Sequence, residues 1–105
     1  MDYSDHLRRL TVDGDISDAD DAPDLDERTL SLVRLGALVC VAAAESSIRK
    51  EVDSAVAAGA SPAQIVAVLD AISPIVGRPR IVKAAPKVAV ALGDDLDLLE
   101  SGSDL

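Results

Sequence analysis

Hydrophobic residues make up 49% of this chain, yet its single aromatic residue is Tyr3 and it contains no Phe or Trp. Any core must therefore be assembled from Ala, Val, Leu and Ile. Small side chains bury little area each, and burial stabilises by about 25 cal/mol per Å². A chain of 105 residues also leaves roughly a third of its unfolded surface exposed after folding. A core this finely divided suits closely packed helices in one small domain, and it points to self-association as the source of further burial.

The longest stretch without a polar side chain, Leu35 to Ala44, has ten residues, against about 20 for a membrane span. No basic region followed by an apolar stretch opens the chain, so no secretory signal is read there. The one cysteine, Cys40, has no partner for an intrachain disulfide. These features predict a cytoplasmic protein that does not enter a membrane.

The net charge of -9 is unevenly placed. Residues 1–28 hold ten acids and three arginines, residues 94–105 five acids and no base, and residues 29–93 four acids and seven bases. A mildly basic centre thus lies between two acidic ends. From Asp13 to Asp26 seven aspartates, with Gly14 and Pro23, leave too little apolar surface to offset the entropy of ordering. The division expected is an N-terminal docking helix at 1–12, a flexible acidic linker at 13–24, a helical domain at 25–93 and an acidic tail at 94–105.

Asp13, Asp15 and Ser17 mimic the opening of a calcium loop, but the sixth and twelfth positions of that loop require Gly and Glu and hold Asp18 and Asp24 here. No metal or cofactor is expected. Nucleic acid is disfavoured because phosphate binding needs a concentrated basic surface.

Helical spacing runs through the rest. Tyr3, Leu7 and Leu10 fall on one face of a short helix, expected to dock on the core. Asp26 can cap the next helix, in which Leu30, Val33, Leu35, Leu38, Val41 and Ala42 follow without a breaker apart from Gly36. It is apolar nearly all round, as befits a central helix or a subunit interface. Ile48, Val52, Ala55 and Val56 form a narrower stripe that stops at Gly59, a natural left-handed terminator. Ser61-Pro62-Ala63-Gln64 is a capping box with Pro at the first helical position. Ile65, Val66, Val68, Leu69 and Ile72 carry that helix to Pro74, where an end or kink is expected. Gly77-Arg78-Pro79 opens a last helix through Ile81, Ala84, Ala85, Val88 and Leu92, bent by Pro86 and stopped at Gly93. No strand pattern competes, so the fold class is all-α.

Two side-chain groups could carry function. Arg80, Lys83 and Lys87 share a helix face near Arg78 and form either a solvated surface or a patch for a small anionic ligand. Ser47, Glu51 and Ser54 lie at i, i+4 and i+7, forming a polar row beside the Ile48/Val52/Val56 stripe. A carboxyl group there could serve as a proton carrier, or the row could border a subunit contact.

The ordered set of Leu25–Val39 (LDERTLSLVRLGALV), Val52–Ser61 (VDSAVAAGAS) and Ile72–Val82 (ISPIVGRPRIV) resembles the carboxymuconolactone decarboxylase family, which includes the alkylhydroperoxidase D-like proteins. The opening MDYSDHLRRL and closing ALGDDLD also look like a small branch of it. With the linker set aside, the resemblance spans about four fifths of the chain. It implies a small helical subunit of the alkylhydroperoxidase D-like type, assembled as a homo-oligomer: a trimer, hexamer or related ring.

The same resemblance places the catalytic Cys-x-x-Cys pair and His of the peroxidase-like members at Ala44, Ser47 and Glu51 of this chain. An assisting Glu would fall near Ser31 or Leu32. All are substituted. A dithiol cycle needs a reactive thiolate and a resolving thiol, which Cys40 cannot supply alone. Cys40 is read as a buried structural residue in an apolar helix, with Arg34 the nearest cation in sequence. Decarboxylase members use a His, whereas the one His here, His6, lies far from the matching positions. The expected function is a family member of undefined role, with its catalytic residues substituted and no catalysis of its own. The alternatives are a decarboxylase or lactone-processing enzyme using Glu51 (Ser47 being the second candidate), and, last, a peroxiredoxin-type antioxidant.

Overall fold

Asp26, Ser61 and Gly59 act where their chemistry places them. In a computed structural model that describes residues 3–13 and 24–93, Asp26 has extended backbone and its Oδ1 accepts the Thr29 N–H at 2.7 Å, starting helix α2 (Glu27–Cys40). That hydrogen bond, helped by the Arg28 charge, holds the Asp26 carboxyl below its ordinary value. Helix α3 (Glu45–Ala57) ends at Ala58 and Gly59, whose φ of 99° suits the left-handed terminator. The Ser61 Oγ accepts the Gln64 N–H at 3.1 Å, and Gln64 Oε1 accepts the Ser61 N–H at 3.0 Å. This reciprocal box opens α4 (Pro62–Val76). Helix α5 (Arg78–Ala91) follows after Gly77. The expected tail at 94–105 and most of the expected linker lie outside the described residues.

The all-α class is confirmed: no strand occurs among the described residues. Helix α3 packs against α2 and α5, α4 packs against α2 and α5, and α3 and α4 also touch each other. Leu35 and Val39 from α2, Ile48 and Val52 from α3, Ile65 from α4 and Val88 from α5 are almost completely buried together. Each such side chain contributes about 1.5–3 kcal/mol relative to remaining in water. Gly36 sits where α2 crosses α4. A Cβ at that position would lie 3.5 Å from Val68 Cγ1 and 3.6 Å from Ile72 Cγ2, an ordinary contact distance.

Three features depart from the sequence reading. The apolar helix does not run on to Ala42 but ends at Cys40, through a left-handed Ala42 with φ 56°. Pro74 does not end α4, which runs on to Val76, whereas Pro86 lies inside α5 as read. Pro74 is two residues from the end of α4, so the donor it lacks affects only the last turn. The third departure concerns α1 (Tyr3–Arg8), which continues as a π-helical turn at Arg9–Asp13. Its apolar spacing predicts docking on the core, yet among the described residues it packs against none of α2–α5. Tyr3 and Leu7 consequently remain 82% and 59% exposed.

No described helix is long and apolar enough to cross a membrane. Helix α2 carries Arg28 and Arg34 beside its apolar residues, and the side bearing Ser31, Leu35, Gly36 and Val39 is the one that is buried. Val33 on its outward side is 56% exposed, and Val41 just past its end is 71% exposed.

Candidate functional site

The positions singled out by sequence converge on the joint between α2 and α3. The end of α2 leaves backbone carbonyls without helical partners, and two arrangements satisfy them. The first is local: Ala43 N–H bonds to the Leu38 carbonyl at 2.9 Å and Ala42 N–H to the Val39 carbonyl at 3.1 Å. These are the two bonds of a Schellman motif, in which Ala42 takes the left-handed place that Gly normally fills.

The second comes from α5. Arg80 Nη1 donates to the Cys40 carbonyl at 2.7 Å, and Lys87 Nζ donates to the Ala43 carbonyl at 3.3 Å. Arg80 thus meets the negative end of α2, where positive charge is favourable, and Lys87 meets the link between α2 and α3. The basic face expected to be solvated or anion-binding is thus divided. Arg80 and Lys87 are engaged with the α2–α3 joint, while Arg78 and Lys83 are exposed near the start of α5.

Beyond the joint, Ala44 is the N-cap of α3 and offers no side-chain cap. Ser47 and Ser54 are exposed and Glu51 is half-buried beside the buried stripe of Ile48, Val52 and Ala55. The polar row exists as read. A shallow depression on the exposed side of α3 is lined by Ser46, Arg49, Lys50, Asp53, Ser54 and Ala57. Glu51 is not part of that lining.

Cys40 is the last residue of α2 and is half-buried, which corrects the expectation of a buried thiol. The fold also brings a cation distant in sequence to this residue, since Arg80 bonds to its backbone carbonyl. His6 belongs to α1, apart from the joint. Of the two positions near which the resemblance would put an assisting Glu, Ser31 is buried in α2 and Leu32 half-buried. No group of three or more His, Cys, Asp or Glu side chains able to hold a metal ion forms among the described residues.

In chemical terms the joint presents a methyl group, a hydroxyl and a carboxylate where the resemblance places two thiols and an imidazole. The cations that could have activated a nucleophile there are hydrogen-bonded to backbone carbonyls. No family model, curated protein or solved structure matches the chain.

Proposed function

We propose that this chain is a carboxymuconolactone decarboxylase-like protein of the alkylhydroperoxidase D-like type, acting as a helical homo-oligomer without that family's thiol chemistry. The reading rests on the residues at the start of α3. Ala44, Ser47 and Glu51 stand where the resemblance places Cys, Cys and His, and Cys40 has no second cysteine anywhere in the chain. A peroxide-reducing cycle needs one thiolate to attack and another thiol to resolve the sulfenic acid. The exposed apolar positions of α2 agree with a partner surface rather than a substrate pocket.

An acid–base enzyme working through Glu51 would require a cavity that shields the carboxyl and substrate together. The open depression on α3 lies beside that residue and not over it. Should a small anion bind, Arg78 and Lys83 are the cations of that face without a carbonyl partner at the joint, because Arg80 and Lys87 bond to the Cys40 and Ala43 carbonyls.

The test supplies a hydroperoxide with a dithiol or thioredoxin-type reductant and follows peroxide loss for the native chain and Cys40→Ser. Equal and negligible rates are expected. Turnover that disappears in Cys40→Ser would overturn the proposal.

A further inference from the structure

The residues that join α2 to α3 are Val41, Ala42, Ala43 and Ala44, with no Gly, Pro, Asn or Ser among them. Ala is the strongest helix former, and Glu45 continues in kind. The chain nevertheless turns here, and it does so by holding Ala42 at φ 56°, a conformation unfavourable to any L side chain. Helix α3 then starts at Ala44 without a side-chain cap. A strained turn built from helix-forming residues has a relaxed alternative, in which α2 and α3 run on as one helix from Glu27 to Ala57.

In a continuous helix each carbonyl accepts the N–H four residues later, so the Cys40 carbonyl would accept from Ala44 and the Ala43 carbonyl from Ser47. These are the two carbonyls that Arg80 Nη1 and Lys87 Nζ occupy, at 2.7 and 3.3 Å. Straightening exchanges those two bonds for helical ones, relaxes the Ala42 backbone and gives the first N–H groups of α3 carbonyl partners. The core opposes it. Leu35 and Val39 of α2 are buried with Ile48 and Val52 of α3, Ile65 of α4 and Val88 of α5, and a lone straightened chain would lose that packing. A second copy restores it: two open chains about a two-fold axis set α2 of each against α3, α4 and α5 of the other, the same helices that α2 meets in the closed chain. The surface that covers α2 is therefore already defined, and short hinges under strain favour such an exchange.

We infer that residues 41–44 form a hinge through which two copies of this chain exchange α2, each copy then holding one continuous helix from Glu27 to Ala57. Arg80 and Lys87 keep the hinge shut by occupying the carbonyls that the straight helix would use. The inference goes beyond the proposed function and does not rest on the family resemblance. Its failure would leave the reading of the α3 positions untouched, and activity toward hydroperoxide does not enter its test.

The test measures a distance within one chain. The full-length protein carrying Cys40→Ser receives spin labels at Thr29→Cys and Ala57→Cys, both exposed positions. It is unfolded with an excess of unlabelled chain, so that labels report within a chain and not between chains, then refolded at high concentration and separated by gel filtration. In the closed chain α2 and α3 fold back on each other and the labels are close. In the exchanged dimer the intervening 28 residues of helix should hold them about 42 Å apart at 1.5 Å per residue. Two further variants block straightening while suiting the turn. Ala42→Gly relieves the left-handed position. Ala44→Pro fits the φ of -63° found there but would lack the N–H for the Cys40 carbonyl and clash with it in a straight helix. Both, shown to be helical by circular dichroism, should lose the long distance. Refolding that yields no dimer, or associated chains whose labels stay close, would overturn the inference. A long distance that persists in Ala44→Pro would do the same.

Discussion

Helix α3 is bounded by two turns that use the same backbone hydrogen bonds for different reasons. At its far end Gly59 takes φ 99°, Gly59 N–H bonds to the Val56 carbonyl at 3.0 Å and Ala60 N–H to the Ala55 carbonyl at 2.9 Å. At its near end Ala42, with φ 56°, sits in the corresponding place at the end of α2. The Gly59 turn is specified by its own residues and by the Ser61/Gln64 box that follows. The Ala42 turn contains no residue that favours it, and Arg80 and Lys87, some forty residues later in sequence, bond to its carbonyls. A helix end can thus be written locally or imposed by packing, and only the first kind is visible in a short stretch of sequence.

Exchanging the two residues gives the largest effects. Gly59→Ala meets no steric obstacle, since a Cβ there has nothing within 4 Å. The whole cost is conformational, and placing an L side chain in the left-handed region should destabilise the protein by about 1–2 kcal/mol. Ala42→Gly should act in the opposite direction, stabilising by about 0.5–1 kcal/mol after allowance for the freer unfolded chain. Urea denaturation of both variants checks the pair. A neutral Gly59→Ala, or an Ala42→Gly that destabilises, would remove the distinction between the two turns.

A smaller effect separates two local start signals. Asp26 and Ser61 both cap a helix through a side-chain oxygen, but only Asp26 titrates. Its carboxyl lies below the ordinary 3.8 in the folded chain, so its stabilisation is fully present above that value and is lost as pH falls through the lower, folded one. Hydrogen exchange at the Thr29 amide should lose protection on acidification in the native chain relative to Asp26→Asn, whose cap does not titrate. The Gln64 amide should show no such difference. Equal acid response at Thr29 in native and Asp26→Asn proteins would mean that the charge of this cap contributes nothing.

The same contrast explains what was legible beforehand. The starts of α2 and α4, the stop at Gly59 and the buried Ile48, Val52 and Ala55 followed from caps and spacing, because those signals act within one or two turns, whereas Val56 of the same stripe is 50% exposed. The end of α2 could not be read, since Ala42 resembles its neighbours and the carbonyls that receive Arg80 and Lys87 are distant in sequence. The shared face of Arg80, Lys83 and Lys87 was visible, but the groups two of them would meet were not. Helix α1 shows a related limit: spacing revealed its apolar row, whereas nothing in that spacing says which surface covers it. At the candidate site the substituted positions Ala44, Ser47 and Glu51 were readable by counting. The absence of Glu51 from the lining of the neighbouring depression required coordinates.

The central claim is that the basic side of α5 serves the joint between α2 and α3, next to the positions to which the resemblance would assign a reaction centre. The most direct measurement is residue-resolved hydrogen exchange on a chain carrying Arg80→Met and Lys87→Met, which removes the charges while keeping apolar stems. Protection of the Ala42 and Ala43 amides should fall, because the α2 end loses its two distant donors, while the Gly59 and Ala60 amides keep theirs. Unchanged protection at Ala42 and Ala43 would show that the joint holds without α5 and would return Arg80 and Lys87 to the list of residues free to bind an anion.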